Sequence, residues 1–226
     1  MADPTGEGDR GALRLDFDRR LMLRFLGCAI TSDGGLLAYR ELDGVLALTT
    51  TGGEIVADAR TGKNGRHQLV GLLRQSVFGR LAGYEDVNDA ERLCRDPAMR
   101  WVVGDGAITR SAASASQMGR FETEWLAQPE NLTALADLPG QWIDTVHTRR
   151  PPKSIVLDMD SSESPTYGAQ EGSAYNGHFG CTCYHPLFVF NQLGDLERCT
   201  LRPGKSTAPP AGGTCWSRWS PATGAR

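Results

Sequence analysis

The sequence of 226 residues has few lysines, no long apolar run and no excess of positive charge. No stretch approaches the roughly 18 apolar residues of a membrane-spanning helix, so no membrane span is expected. The net charge of −3 at pH 7 gives no overall sign of a nucleic-acid-binding protein. The first residues are polar and acidic, unlike a secretory signal. Six cysteines without an extracellular cue indicate cytosolic thiols.

The positive charge is almost entirely arginine, and the most basic stretch is residues 59–84, which contain five cations and no acid. Leu69, Leu73, Val77 and Leu81 recur there every four residues, which predicts a helix that packs on a core through that face. The cations of the stretch either cover a solvated helix face or contact phosphate groups. If they contact phosphate, the expected DNA-binding residues are Arg66, His67 and Arg74.

Four other segments before residue 152 predict helices. Residues 32–48 predict a helix capped by Ser32 or Asp33. Residues 84–104 predict two short helical pieces split before Pro97. The remaining two are residues 114–126, with Met118, Phe121 and Trp125 on a core face, and residues 131–148. The last ends in His147, Arg149 and Arg150, cations that suit a helix C-terminus, and Pro151-Pro152 then stop it.

After residue 152 the pattern changes from helices to strands. Residues 153–160, KSIVLDMD, predict a buried strand that ends in acids. Residues 181–192 predict a second strand with Pro186 at an edge or bulge, and residues 196–204 predict a third. Helices followed by sequential strands predict an α+β fold.

The acids at the end of the first strand carry the clearest chemical signal. Alternation places Asp158 and Asp160 on the same side of the strand. Carboxylates at a strand end beside a glycine-rich loop suit a hard cation such as Mg²⁺, and a pair of such metals can drive phosphodiester chemistry. The same pattern is equally compatible with a simple turn or helix cap.

A run of motifs resembles the first catalytic block of the insertion sequence 1380 group of DDE transposases. The run begins with the acid-rich strand end and Ser161-Ser162. It continues with YGAQEG (167–172), YNGH (175–178), YHPL (184–187) and LRPG (201–204). Upstream blocks, SDGGLLAYRELD among them, are also similar to that group, so the resemblance covers about residues 15–204.

The resemblance implies a helical region over 15–152, for DNA binding or oligomerisation, followed over 153–204 by the start of a ribonuclease-H-like catalytic domain. It implies a triad of Asp, Asp and Glu that holds two Mg²⁺ ions and breaks and joins phosphodiesters at transposon ends. The first acid maps onto Asp160, which directly precedes a hydroxyl residue, and Asp158 is a second candidate metal ligand. The implied partners are terminal inverted repeat DNA and either a second copy or a full-length transposase, with no membrane, in the bacterial cytoplasm at the nucleoid.

The two ends of the chain depart from this pattern. Residues 1–14 are expected to be a disordered leader. Residues 205–226 contain no Leu, Ile, Val, Phe, Asp or Glu and are expected to be disordered, with a frameshift near Lys205 as the simplest hypothesis. The second Asp and the Glu are expected downstream of the third strand, so the chain is expected to be a truncated, inactive transposase.

Three alternatives remain at this stage. A haloacid-dehalogenase-like phosphatase would use Asp158 as nucleophile and Asp160 as general acid. A zinc site would use Cys181, Cys183 and His185, with His178 near, although cysteines in a strand are more often buried small hydrophobes. The third alternative is a non-catalytic protein that binds transposon-end DNA and inhibits transposition, or a decayed product with an exposed strand edge.

Overall fold

The computed structural model describes residues 13–15, 18–23, 30–58, 60, 66–104 and 106–206, the first two ranges by their backbone alone. The chain divides by its internal contacts into two compact units, residues 1–128 and 129–226. Apart from residues 13, 14, 205 and 206, the expected leader and tail lie outside the described residues. The functional division expected at 152/153 stays a prediction.

The first unit is helical after a short hairpin of β1 (Leu13–Leu15) and β2 (Asp18–Leu23). Its α-helices are α1 (Leu36–Leu46), α2 (Leu48–Ile55), α3 (Leu69–Leu81), α4 (Ala90–Leu93), α5 (Pro97–Val103), α6 (Gly106–Thr109) and α7 (Ala115–Arg120). A 3₁₀ turn (Val87–Asp89) precedes α4, and a π-helical turn (Phe121–Trp125) continues α7. Short helices of this kind depend on tertiary packing, because isolated helices under about 12 residues are marginal in water.

Caps and buried polar groups fix these short helices. Asp96 caps α5, accepting a hydrogen bond from the Met99 amide at 2.9 Å, and Pro97 occupies the first turn. The side chain of the buried Gln75 in α3 donates a hydrogen bond to the Ala113 carbonyl at 2.7 Å and accepts one from the Ala113 amide at 2.8 Å. These bonds satisfy groups that would otherwise be costly to bury, and they join α3 to the segment before α7.

In the second unit, α8 (Pro129–His147) lies against a three-stranded antiparallel sheet, here called the first sheet. Its strands are β3 (Leu157–Ser161), β7 (Leu187–Asn191) and β8 (Leu196–Thr200), in the order β3-β7-β8. A bulge in β8 leaves Glu197 unpaired and buried, where it accepts a hydrogen bond from Asn191 at 2.8 Å. Gly140 of α8 approaches so closely that an added Cβ would lie 2.9 Å from the Glu197 carbonyl oxygen.

The second sheet consists of β4 (Ser164–Pro165), β6 (Cys181–Tyr184) and β5 (Ala174–Asn176), also antiparallel. The chain passes between the two sheets at residues 161–164 and again at 184–187. The two passages are joined by a hydrogen bond from the Ser162 amide to the Pro186 carbonyl, at 3.2 Å. Gly204 packs directly against the backbone of β5 and β6. An added Cβ at this position would lie 2.2 Å from the Ala174 carbonyl oxygen and 2.5 Å from the Cys183 carbonyl oxygen.

The predicted α+β fold, with helices first and strands after them, is confirmed as two small antiparallel sheets following the helices. Within the described residues, the structure has no helix that is both long and apolar enough to cross a membrane. Met118 and Phe121 are buried, and Trp125 packs against the same cluster, as predicted.

Four local predictions are wrong in whole or in part. Residues 153–160 do not form a buried strand, since β3 begins only at Leu157 and Asp158, Met159 and Asp160 are exposed. The first turn of α1 has Gly35 at its N-cap, with no side-chain cap from Ser32 or Asp33. The helix predicted around residues 69–81 forms as α3, but its predicted face is only half right. Leu73 is buried and Leu69 packs against the core, whereas Val77 is 36% and Leu81 52% exposed, because neighbouring helices cover the side that includes Leu72 and Phe78. Residues 181–192 form two strands in two sheets rather than one strand, because the chain turns at His185-Pro186.

Candidate metal and nucleic-acid sites

Asp158 and Asp160 lie on the same face of β3, and both are exposed. Their register partners in β7 are Phe190 and Phe188, whose stacked rings have centroids 6.2 Å apart. Two residues separated by one along a strand are about 7 Å apart at Cα. The site is therefore an exposed pair of carboxylates beside an aromatic surface.

The acidic face of the first sheet is the face turned away from α8. On the opposite face Leu187 and Val189 are buried, and Arg198, the register partner of Val189, pairs with Asp137 of α8 at 2.5 Å. Alternation along the strands then places Asp158 and Asp160 on the uncovered side. The two acids thus face solvent, and neither forms an ion pair with another residue that the structure describes.

The neighbouring groups after Asp160 do not complete a cluster around it. Glu163 lies near Cys183 of the second sheet instead. The pKa of the Cys183 thiol is raised mainly by burial, next by the neighbouring Cys181 thiol, and then by the negative charge of Glu163. Among the residues that the structure describes, no group of three or more His, Cys, Asp and Glu side chains is arranged to hold a metal ion. The carboxylate pair of β3 is therefore a partial set of ligands.

The three predicted DNA-binding residues have different environments. Arg66 is exposed and donates to the Ser111 hydroxyl at 2.9 Å. His67 is only 8% exposed, and burial, followed by the charges of Arg66 and Arg60, lowers its pKa below the usual value. His67 is consequently neutral at pH 7 and adds no positive charge to this surface.

Arg74 belongs to a buried network. Its Nε lies 3.1 Å from the Thr49 hydroxyl and 3.9 Å from the carboxylate of Asp43, which is itself buried. Asp43 also accepts from the Thr49 amide and pairs with Arg40 at 3.5 Å. Arg74 thus connects α3 to α1 and α2, and the assignment of Arg66, His67 and Arg74 to DNA stays a prediction.

The other arginines described in the basic stretch are paired within the first unit. Arg60 donates to Asp58 and to the His67 carbonyl, and its guanidinium lies 5.2 Å from the centre of the Trp125 ring. Arg80 forms a two-pronged bond with Glu122, both contacts at 2.8 Å. Intramolecular acids therefore neutralise most of the charge that made this stretch conspicuous in the sequence.

The cysteines and histidine of the zinc alternative are engaged in packing. Cys183 is fully buried beneath Gly204. His185 is also buried, and its Nδ1 lies 2.8 Å from the Ser206 carbonyl oxygen. Their environment is that of core residues that hold the end of β6 against residues 202–206.

One basic segment was assigned only a local role from the sequence. Residues 148–156, here called the basic connector, join α8 to β3 and contain exposed Arg149, Arg150 and Lys153. The sequence pattern predicts Arg149 and Arg150 at the end of a helix and Lys153 at the start of a strand. The available signal was the absence of any acid over residues 145–157.

Comparison with known proteins adds one finding. The family described as Transposase DDE domain group 1 matches residues 13–212, which is most of the chain and most of each unit. No curated protein and no solved structure matches the chain. The matched range contains the carboxylate pair, the basic stretch and the basic connector.

Proposed function

Because the chain belongs to the family of transposase DDE domains of group 1, we propose that it binds transposon-end DNA and contributes carboxylates to a metal site for phosphodiester chemistry. The observation that carries the proposal is the exposed pair Asp158 and Asp160 on one face of β3, within the matched range. Asp160 is the proposed catalytic acid and Asp158 a further metal ligand.

The finer assignment is to the insertion sequence 1380 group, with terminal inverted repeats as the DNA partner. It is supported by the ordered blocks from SDGGLLAYRELD to LRPG in this sequence. The family match favours this function over a haloacid-dehalogenase-like phosphatase. As a transposase of this kind, the protein would act in the bacterial cytoplasm at the nucleoid, as a homo-oligomer or with a full-length transposase.

The carboxylate pair fits one hydrated divalent ion better than a pair of ions. Carboxylate oxygens are the ligands that Mg²⁺ prefers, and Mg²⁺ usually keeps several waters. Two ions about 3.5–4 Å apart require bridging and flanking acids, which two side chains of one strand do not supply. We therefore propose weak binding of a single Mg²⁺ ion by Asp160 and Asp158, and no DNA cleavage by this chain alone.

Manganese as a paramagnetic substitute for magnesium tests the metal site. Titration with Mn²⁺ should broaden the NMR signals of β3 and of Phe188 and Phe190 before those of α3. The double variant Asp158→Asn/Asp160→Asn should lose the effect, whereas Asp144→Asn, an exposed acid of α8, should retain it. Equal broadening in the double variant and the wild type would refute the site.

A nicking assay tests the absence of cleavage. A supercoiled plasmid that carries the DNA flanking the gene is incubated with the protein and Mg²⁺, and the relaxed form is measured. The proposal expects no more relaxed plasmid than without protein. Relaxation that requires Mg²⁺ and is lost in Asp160→Asn would show that the chain is active.

Binding without cleavage is the second candidate function, since it would make the chain a non-catalytic inhibitor of transposition. It is favoured by the exposed position of Arg66, which leaves that guanidinium accessible to phosphate. Arg66→Ala should weaken binding to transposon-end duplexes a few-fold, roughly one phosphate contact, and lower the salt dependence. Arg110→Ala, another exposed arginine of the first unit, is the matched control.

A further inference from the structure

Among the described residues of the second unit, the basic connector carries the densest unpaired positive charge. Arg149, Arg150 and Lys153 are all exposed, and none of them has a side-chain partner among the described residues. The surrounding sequence contains no acid from Thr145 to Leu157. Three cations within five residues therefore face solvent without an internal counter-charge.

The basic stretch of the first unit provides the contrast. Its arginines Arg60, Arg74 and Arg80 each lie within 4 Å of an acid of their own unit, namely Asp58, Asp43 and Glu122. An arginine that already has a carboxylate partner must break that bond or share it before it can bind a phosphate. The cations of the basic connector have no ion pair to break before they bind a phosphate.

The backbone of the connector is held in place at both ends. Residues 148–150 close the last turn of α8 through backbone hydrogen bonds, and Pro151-Pro152 restrict the chain directly after it. The Gln192 side chain then donates to the Ser154 carbonyl at 2.7 Å and accepts from the Val156 amide at 2.8 Å. A segment that is ordered before binding loses less conformational entropy when it binds.

We infer that the basic connector binds the phosphate backbone of the same DNA duplex whose cleavage site faces Asp158 and Asp160. This inference rests on the proposed function, and it names the DNA contact next to the acids. Asp158 lies five positions after Lys153, so their Cα atoms are at most about 18 Å apart. That span corresponds to roughly five base-pair steps, and a single duplex can reach both groups.

The cations at the end of α8 also have a local effect, because positive charge stabilises a helix C-terminus. That effect changes the melting temperature of the protein and is independent of DNA. Phosphate contacts, in contrast, change the affinity for DNA and its dependence on salt, since each contact releases counterions. The two roles are therefore separable by measurement.

The experiment compares the triple variant Arg149→Gln/Arg150→Gln/Lys153→Gln with a charge-matched triple, Arg95→Gln/Arg110→Gln/Arg120→Gln, of exposed arginines in the first unit. Binding to a labelled duplex of about 30 base pairs is followed by fluorescence anisotropy over a range of salt concentrations, without Mg²⁺. The connector variant should bind at least about 10-fold more weakly, with a salt slope lower by about 2–3. The control should lose less than about 3-fold, as should Arg149→Lys/Arg150→Lys, which keeps the charge.

The possible outcomes distinguish a failure of this inference from a failure of the proposed function. If the wild type does not bind the duplex at all, the proposed DNA partner is wrong and the connector role fails with it. If the wild type binds and the two triple variants weaken binding equally, only the connector role is overturned. Should the connector triple fail to fold, Lys153→Gln alone must lower the salt slope by about 1, and an unchanged slope refutes the inference.

Discussion

The two units use their charged side chains differently. In the helical unit Asp43, Arg74, Arg80 and Glu122 are tied to one another or to backbone groups, and they connect helices that are too short to be stable alone. In the second unit Asp158 and Asp160 stand exposed on the outer face of the first sheet, and Arg149 lies free on the connector. These charges of the first unit support its structure, whereas Asp158, Asp160 and Arg149 of the second unit remain available for ligands.

The largest expected effect is that of Gly204→Ala, which should destabilise the second unit and leave the first unit folded. Its methyl group would overlap the Ala174 and Cys183 carbonyl oxygens, both backbone atoms that cannot move aside. We expect a loss of more than about 3 kcal/mol of unfolding free energy. Hydrogen exchange should show lost protection in β5 and β6 while α3 remains protected.

Gly177→Ala is the control, since an added Cβ there has no neighbour within 4 Å. It should cost less than about 1 kcal/mol. Comparable destabilisation by the two alanines would show that the close approach at Gly204 is not what holds the second sheet together.

The second prediction compares one acid from each unit. Asp43→Ala removes the acceptor of the Thr49 amide and the counter-charge of Arg40 and Arg74, so we expect a loss of about 2–3 kcal/mol. Asp160→Ala removes an exposed carboxylate and should change stability by no more than about 0.5 kcal/mol. Urea denaturation measures both, and a destabilising Asp160→Ala would contradict the division between structural and exposed charges.

The third prediction concerns the Arg80–Glu122 pair and its pH dependence. Burial alone would raise the pKa of Glu122, but hydrogen bonds from Arg80 and Ser76 outweigh it and lower the pKa. A depressed carboxyl pKa adds stability above the unfolded value of about 4.3, and this stability is lost as the pH falls through the folded value. Because Arg80 is half exposed, solvent screening limits the cost of Arg80→Gln to about 0.5–1 kcal/mol at pH 7.

Chemical denaturation of both proteins between pH 7 and pH 3 checks this dependence. The difference between wild type and Arg80→Gln should shrink as Glu122 becomes protonated. A difference that is constant over this range would assign the effect to packing of the arginine side chain instead of the ion pair.

The fourth prediction concerns His67, the one predicted DNA contact that is neutral. Burial and two neighbouring arginines lower its pKa, so the unfolded chain binds the proton more readily than the folded one below pH 6.5. The wild type should therefore lose up to about 1 kcal/mol between pH 7 and pH 5.5 that His67→Gln does not lose. Equal pH profiles would show that His67 is accessible to protons, as a phosphate contact would be.

Local patterns predicted much of the fold. Asp96-Pro97 marked the start of α5 because the cap and the proline act within a single turn. The predicted face of α3 was only half right, because the four-residue spacing of Leu69, Leu73, Val77 and Leu81 does not reveal which side the neighbouring helices cover. For the candidate sites, too, only the local features were predictable. Strand alternation predicted a common face for Asp158 and Asp160, but no sequence pattern showed that Arg74 would pair with Asp43.

The sequence by itself determined the order of helices and strands, the family and the acidic strand end, because these depend on local spacing and on motifs. Only the tertiary structure decided which charges are available, because an ion pair joins residues that are distant along the chain, such as Arg80 and Glu122. The acid-free stretch 59–84 therefore has most of its charge neutralised in three dimensions. The shorter basic connector keeps its charge, since none of its three cations forms an ion pair with an acid among the described residues.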